Sequence, residues 1–517
     1  MLLDRPVLAL VKRLPFGLGK NTFTRYNFRG WELEDRYRSH HEMGDVWMHV
    51  TSVRNWLYIG DPDTVLEIWK RGKDFPREVS ATGEYPDLTS MDDDFKDRSS
   101  RDQWRKHRRL VNNSFNDQNN IIVWSESVTV AADVLEYWTS KPSVETVADD
   151  ARTLALHVMS RAGFGKSFKF RGREELALPS SDESVMSYKD SLKMILDNCV
   201  LIFVFGPKFL GKTWLPKKLQ TLHKACNSFQ RHMTEAYEQE KQAVDNGQSQ
   251  AGDQIFLNLL VRASLTDDPQ SQLSESEIYG NIFTFNFAGH DTTAHTFTFA
   301  LYFLAAFPEV QDWIHEEICE VAGQRCPQEW EYELDFPRLK RCLAIMLETL
   351  RLYTPVPTSK FTDTGTQTLR VGAEGKKTIV LPPETMVIPS YAALQTDPKY
   401  WGNDSLEWRP SRWIKVEGDH VAQALGDEQL VTPRRGTYLA WSGGARDCPG
   451  RKFSQVEFVA TMATLFREHR VDPVKMSGET ADASRKRILH LIETDSAPVL
   501  LLQMLHPERA PLVWTRR

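Results

Sequence analysis

From Ser274 to Pro308 the chain keeps a helical period that is apolar on nearly every face. Ser274 and Glu277 have the spacing of a capping box, and Pro308 ends the pattern after Phe307. The pattern predicts a helix roughly 50 Å long at 1.5 Å per residue, apolar all round and therefore running through the core. Its middle reads Ala288-Gly289-His290-Asp291-Thr292-Thr293. Gly, Asp and Thr are poor choices for the centre of a buried helix, so residues placed there serve something other than packing. A second pattern, of period two, occupies Asp45 to Gly60. Val46, Met48 and Val50 alternate, and Trp56-Leu57-Tyr58-Ile59 follows a polar turn, which predicts two strands. Further strand-like runs, such as Thr378-Ile379-Val380-Leu381, lie between Gly- and Pro-rich breaks from Thr366 to Pro389. Most of the rest reads as helix. The expected fold is mainly α with a small β portion near both ends of the sequence.

Composition narrows the function. The chain has 517 residues, 41% of them hydrophobic, and a mean hydropathy of -0.44. That supports a sizeable core and excludes a polytopic membrane protein. A net charge of -6 counts against a nucleic-acid partner, which a basic chain would suit. The cysteines, at 199, 226, 319, 326, 342 and 448, are irregularly spaced with no CxxC pair. A zinc ribbon or disulfide framework is therefore not expected, and free thiols suit a reducing compartment. No stretch reaches the roughly 20 apolar residues that span a bilayer. A phosphate-loop echo at Gly165-Lys166-Ser167 fails because Ser160 stands where the first glycine is needed.

The strongest chemical signal is Trp441-Ser442-Gly443-Gly444-Ala445-Arg446-Asp447-Cys448-Pro449-Gly450. Its glycines permit a tight loop of close-approaching backbone. Pro449 is a favoured first helical residue, which puts Cys448 just before an expected helix start. Unpaired N–H groups and the dipole at such an end stabilise a thiolate.

This segment resembles the haem-binding loop of the cytochrome P450 family, Phe-x-x-Gly-x-Arg-x-Cys-x-Gly. Gly444, Arg446, Cys448 and Gly450 match in register, with Trp441 in place of the phenylalanine. Three further motifs follow the family's order. Glu348-Thr349-Leu350-Arg351 resembles its Glu-x-x-Arg, and Trp408 to Trp413 resembles the segment that supplies a further arginine, here Arg412. Trp104-Arg105-Lys106-His107-Arg108 resembles Trp-x-x-x-Arg, whose i,i+4 spacing puts Trp104 and Arg108 on one helix face. The centre of the long helix matches the oxygen-activating pattern. Elsewhere, Gln395 departs from the family's pattern, standing where many members have histidine before Asp397-Pro398.

The resemblance implies haem b under the long central helix, with Cys448 as the fifth iron ligand. Arg446, Trp104 and Arg108 would donate to the haem propionates, and Gly450 would complete the loop. Glu348, Arg351 and Arg412 would form a buried structural network. Asp291 and Thr292 would be the acid–alcohol pair that relays protons to reduced dioxygen, with Thr292 bonding back to the Ala288 carbonyl. The implied reaction inserts one oxygen atom from O2 into an organic substrate. No flavin or nicotinamide fingerprint occurs, so electrons from NADPH would come through a separate NADPH-cytochrome P450 reductase. Lys106 and Arg109 are expected to face outward as part of its docking patch, with Arg451 and Lys452. The rivals are a haem-thiolate isomerase or dehydratase that does not use O2, and a non-catalytic haem sensor.

The wording around Cys448 and Phe453-Ser454-Gln455 is similar to fungal members of the family, many of which tailor secondary metabolites. Apolar candidate lining segments, among them the loop before Trp104 and the helix near Phe285, point to a hydrophobic small-molecule substrate. Residues 45–517 are expected to form the catalytic domain of a monomer, and residues 1–44 an N-terminal segment. The apolar run Val200 to Phe205 and the lysines after it predict peripheral membrane contact. The expected location is the cytosolic face of the endoplasmic reticulum, held peripherally or by an anchor missing from this sequence, with the cytoplasm as the alternative.

Overall fold

The apolar run between Ser274 and Pro308 folds as one helix, Glu275–Ala306, in the computed structural model of the chain. Both halves of the predicted capping box form: the Ser274 hydroxyl accepts from the Glu277 N–H, and the Glu277 carboxylate accepts from the Ser274 N–H. The structure describes the chain except residues 1–7, 9, 12, 15–18, 20, 77–99, 173–184, 199–200, 203–204, 249–254, 267, 269–271, 363–364, 373–376 and 417–424.

In chain order the elements that position the site are β1 (Val46–Val50), β2 (Asn55–Ile59), α1 (Pro62–Lys70), α2 (Ser100–Ser114), α3 (Asp117–Thr139), α4 (Val147–Phe164), α5 (Tyr188–Asp197), α6 (Lys217–Asp245), α7 (Phe256–Ser264) and α8 (Glu275–Ala306). There follow α9 (Pro308–Ala322), α10 (Lys340–Leu352), β3 (Lys360–Phe361), β4 (Gln367–Val371), β5 (Lys377–Leu381), β6 (Met386–Pro389), α11 (Arg451–Phe466), β7 (His469–Pro473) and β8 (Leu512–Arg516). They fall into two units. One comprises Met1–Glu78, Ala344–Cys448 and Ile488–His506, the other Val79–Leu343, Pro449–Arg487 and Pro507–Arg517.

The first unit is built on a four-stranded sheet of order β1-β2-β6-β3. The predicted hairpin pairs Val46 with Ile59 and Val50 with Asn55, and β2 then pairs with β6 in parallel. Successive residues of a strand face opposite sides, and β2 uses both. Leu57 and Ile59 enter a core with Val65, Ile68, Phe75, Leu369, Val387 and Leu439. Tyr58 turns the other way and packs with Trp47 against Tyr26, Phe28 and Trp31.

The second unit is helical. α8 packs along α4, and α11 along α3. Every residue of α8 from Thr293 to Ala306 is buried, which its all-round apolar sequence requires. Its end is fixed by Gln311, whose amide donates to Leu304 O and Val471 O and accepts from Val471 N. Among the described residues no helix is long and apolar enough to cross a membrane.

Candidate active site

The Cys448 loop is held by its own backbone and by one tryptophan. The Cys448 N–H donates to Trp441 O at 2.9 Å. Ser442 and Gly444 adopt left-handed backbone, at φ 61 and 75. A Cβ on Gly443 would lie 2.2 Å from the Trp69 ring, and one on Gly444 would lie 3.1 Å from the Trp69 carbonyl oxygen. These two glycines are therefore needed for close approach to α1 as well as for the turn. On this support Cys448 is exposed and in no disulfide. The following helix begins at Arg451 with Gly450 as its N-cap, two residues later than the expected start at Pro449. Pro449 and Gly450 are spent in the turn instead.

The residues Glu348, Arg351 and Arg412 come together. Arg351 and Glu348 are fully buried and meet through two hydrogen bonds, Nε to Oε2 at 2.7 Å and Nη2 to Oε1 at 2.8 Å. Arg412 Nε donates to Glu348 Oε1 at 2.8 Å. Trp413 Nε1 donates to Glu348 Oε2 at 2.9 Å, and its ring lies 4.9 Å from that of Tyr438, which lies 6.1 Å from Trp441. An unbroken series of contacts thus joins the buried ion network to the loop that carries Cys448.

Gln395 adds a second tie. Its amide donates to Arg351 O and Thr354 Oγ1, while its oxygen accepts from the Leu439 N–H at 2.7 Å. A neutral histidine has one ring donor and one ring acceptor. The glutamine covers both roles, so the departure from the family pattern keeps the link between α10 and the segment leading to Cys448.

On α8 the unusual centre divides into an open stripe and a buried cluster. Asn281, Thr284, Ala288 and Thr292 recur three or four apart and are only partly buried or exposed, as residues on one face are. The Thr292 hydroxyl donates to Ala288 O at 2.9 Å, as its type and position predict. Asp291 turns elsewhere. Its Oδ1 accepts from Arg152 Nε of α4 at 2.9 Å, and its Oδ2 lies 3.5 Å from His295 Nε2. Burial alone would raise this carboxyl. The contact and charge of His295, then the charge of Arg152, outweigh burial and hold it well below the usual carboxylate range. Asp291 is therefore an ionised, clamped group with no direct bond to the Thr292 hydroxyl, although the two residues are adjacent. Phe285 itself is core, stacked 3.9 Å from Phe256. Of the expected lining segments, the loop before Trp104 lies outside the described residues.

Trp104 and Arg108 lie partly buried on α2. The expected outward turn of Lys106 does not occur. Lys106 Nζ bonds Glu277 Oε1 at 3.0 Å in the first turn of α8. Asn281 Nδ2 meets His107 Nδ1 at 2.8 Å. Burial would raise Glu277, but hydrogen bonds from His107, the Ser274 backbone and Lys106 hold it down at about 2. The opposing acid was present in the sequence, yet nothing marked its fold neighbour. Trp69, Arg152 and His295 were likewise missed. The first two lie far from any motif, and the third sits one turn past Asp291, where i,i+4 spacing was a usable signal.

The sequence model of the family described as Cytochrome P450 matches residues 30–494. A cytochrome P450 monooxygenase of Arthrobotrys oligospora is 29% identical, over 88% of this chain and 81% of its own. The phomenoic acid biosynthesis cluster cytochrome P450 monooxygenase of Leptosphaeria maculans is also 29% identical, over 94% and 86%. Among solved structures, the haem domain of cytochrome P450DA superposes with a TM-score of 0.67, covering 98% of this chain and 96% of that one at 18% identity.

Proposed function

The chain belongs to the cytochrome P450 family, and from that premise we propose that it is a haem-thiolate monooxygenase with Cys448 as its axial sulfur. The observation that carries the reading is an exposed cysteine, in no disulfide, on a loop clamped by Trp69 and tied back to Trp441. Those features fit a haem iron, which needs an accessible thiolate donor on a rigid support. When bound, that group supplies two-electron activation of dioxygen, and the thiolate favours O–O cleavage. Arg446, Trp104 and Arg108 would hold the propionates, since charged and ring N–H donors suit carboxylates. Glu348, Arg351 and Arg412 keep the loop in place.

Thr292 supplies the proton-handling hydroxyl. Its O–H donates a hydrogen bond to Ala288 O, which leaves its oxygen free to accept a hydrogen bond from water. Thr292→Ala is expected to bind haem and substrate as the parent does while releasing more hydrogen peroxide. The check is product formed per NADPH consumed with a reductase present; an unchanged ratio removes Thr292 from the relay.

The name of the Leptosphaeria maculans relative supports, by analogy, a tailoring step on a hydrophobic fungal secondary metabolite. Electrons from NADPH arrive through a separate reductase. Its docking charges would be the exposed Arg109 and Arg451, with Lys106 engaged elsewhere. Residues 45–517 act as the catalytic domain of a monomer, with residues 1–44 as its N-terminal segment.

The enzyme also touches a membrane surface on the cytosolic face of the endoplasmic reticulum. Of the apolar run that predicted this, Val200, Phe203 and Val204 lie outside the described residues and Ile202 is buried. The support lies just beyond. Phe205, Phe209 and Trp214 are exposed in one cluster, with ring centroids 5.6 and 5.8 Å apart. Exposed Lys208, Lys212, Lys217 and Lys218 flank it. Aromatic rings beside cations suit an anionic lipid interface. In flotation with anionic liposomes at low salt the parent is expected to rise with the vesicles, and Phe209→Asp with Trp214→Asp to stay behind. Equal behaviour of the two would remove this surface.

A further inference from the structure

We propose that His295 and Asp291 work as one proton-carrying pair on α8, with His295 storing a proton that Asp291 passes on. The inference rests on the monooxygenase reading, because inserting one atom of O2 and releasing the other as water consumes two protons and two electrons.

The geometry separates three tasks within the cluster. Arg152 fixes Oδ1 of Asp291 with a hydrogen bond of 2.9 Å. His295 is buried, and its Nε2 has no hydrogen-bond partner, yet it lies 3.5 Å from Oδ2. A buried ring nitrogen left without a partner is costly, and here the nearest acceptor is a carboxylate oxygen. Among the described residues, Arg152 and His295 are the groups within ion-pair reach of Asp291. Asp291 also lines a cavity of about 140 Å³ whose wall carries Asp149, Arg152, Lys189, Asp190 and Lys193. At its rim Lys193 pairs with Asp149 at 2.7 Å, both side chains substantially exposed. Asp291 thus has solvent-connected charges on one side and a lone imidazole on the other.

The steps balance in protons and move no electrons. Imidazolium His295 gives its Nε2 proton to Asp291 Oδ2, leaving a neutral imidazole and a neutral carboxyl. The carboxyl passes that proton to water on the Thr292 side and returns to carboxylate. A proton entering by the cavity then crosses Asp291 to recharge His295. An imidazolium suits storage because both of its ring nitrogens carry a donor proton, whereas a carboxylate clamped by Arg152 does not hold a proton at rest.

Other charges near the pair are accounted for. His290, on α8 itself, has Nδ1 on Asn286 O at 2.5 Å, and burial pushes it toward the neutral form. α4 adds Asp150, which bonds Trp138 and Thr146. The elements packed elsewhere on α8 carry Glu457 on α11, Glu317 on α9, His469 and Asp472 on β7, Arg262 on α7 and His232 on α6.

The test uses the full chain and His295→Gln, whose amide can still donate to Oδ2 but cannot store a proton. In a difference titration from about pH 8 to 5 the parent should take up about one proton more than the variant. In turnover, the parent's product per NADPH should fall as pH rises through that range. The variant's ratio should be flat, with a several-fold larger peroxide share at the acid end. Asp291→Asn should match the variant's loss, and the double variant should add nothing further. Superimposable titrations, or a pH profile unchanged by His295→Gln, would overturn the pair. The two readings fail separately. A parent without a thiolate-type reduced carbon monoxide spectrum sinks the monooxygenase assignment, while proton uptake still decides the pair.

Discussion

Cys448→Ser is expected to abolish the thiolate-type spectrum of the reduced carbon monoxide complex and to take oxygenation below detection. Serine keeps the size of the side chain, but its hydroxyl stays protonated near neutral pH and cannot replace the thiolate. The loop itself should survive. It is held by the Cys448 N–H on Trp441 O, by the seat of Gly443 and Gly444 on Trp69, and by the Ser442 hydroxyl near Thr358 Oγ1 at 3.2 Å. None of these uses the sulfur, and the Cys448 side chain is exposed. The haem-free variant should therefore melt close to the haem-free parent, within about 0.5 kcal/mol as for other exposed substitutions. A companion, Trp441→Phe, should retain the thiolate spectrum, since phenylalanine keeps a ring for the contact with Tyr438 and the Cys448 N–H bonds the backbone carbonyl. An unchanged spectrum in Cys448→Ser would mean another residue binds the iron. A large loss of stability in the haem-free serine variant would mean the loop depends on the sulfur in a way the contacts do not account for.

Legibility followed the range of the interactions. The α8 helix, its capping box and the Thr292 back-bond are set within four residues of sequence, and all were readable. The β1–β2 hairpin was readable because its alternation is local. The Glu348–Arg351–Arg412 network needed a recognised motif, since Arg412 lies 61 residues beyond Arg351 and no periodicity connects them. Trp69 and Arg152 could not be read at all. Each is an ordinary helix residue whose importance comes from what the fold sets against it, Gly443 in one case and Asp291 in the other. One expectation failed for the same reason. Lys106 was expected outward, yet Glu277, distant in sequence, occupies that direction. A lysine states only what kind of partner it accepts, and the tertiary fold chooses it.

Glu348→Ala and Arg351→Ala are each expected to cost about 3–5 kcal/mol, the range for removing one partner of a buried ion pair, and so a large part of a typical total of about 5–15 kcal/mol. The hydrogen-bond inventory explains why. Arg351 spends every donor: two on Glu348, two through Nη1 on Gln395 O and Ser405 O, and one on Glu407 O. Glu348 accepts those two and also bonds from Arg412 Nε, the Arg409 N–H and Trp413 Nε1. Deleting either side chain leaves a desolvated opposite charge with its partners still in place, which is worse than losing both. Arg351→Lys should fall between parent and alanine, because a point charge cannot span the fork that Glu348, Gln395 and Ser405 require. Loss should also reach the haem. Trp413 is oriented by Glu348, Tyr438 rests on Trp413, and Trp441 rests on Tyr438 and carries the carbonyl that fixes the Cys448 N–H. Haem content and the thiolate spectrum should therefore fall along with the melting temperature. The control is Asp482→Asn, which breaks a pair with Lys486 that is about three-quarters exposed on both sides and should leave the melt essentially where it is in the parent. Melting of Glu348→Ala or Arg351→Ala no different from that of Asp482→Asn would show that burial and hydrogen bonding at Glu348 do not brace this unit.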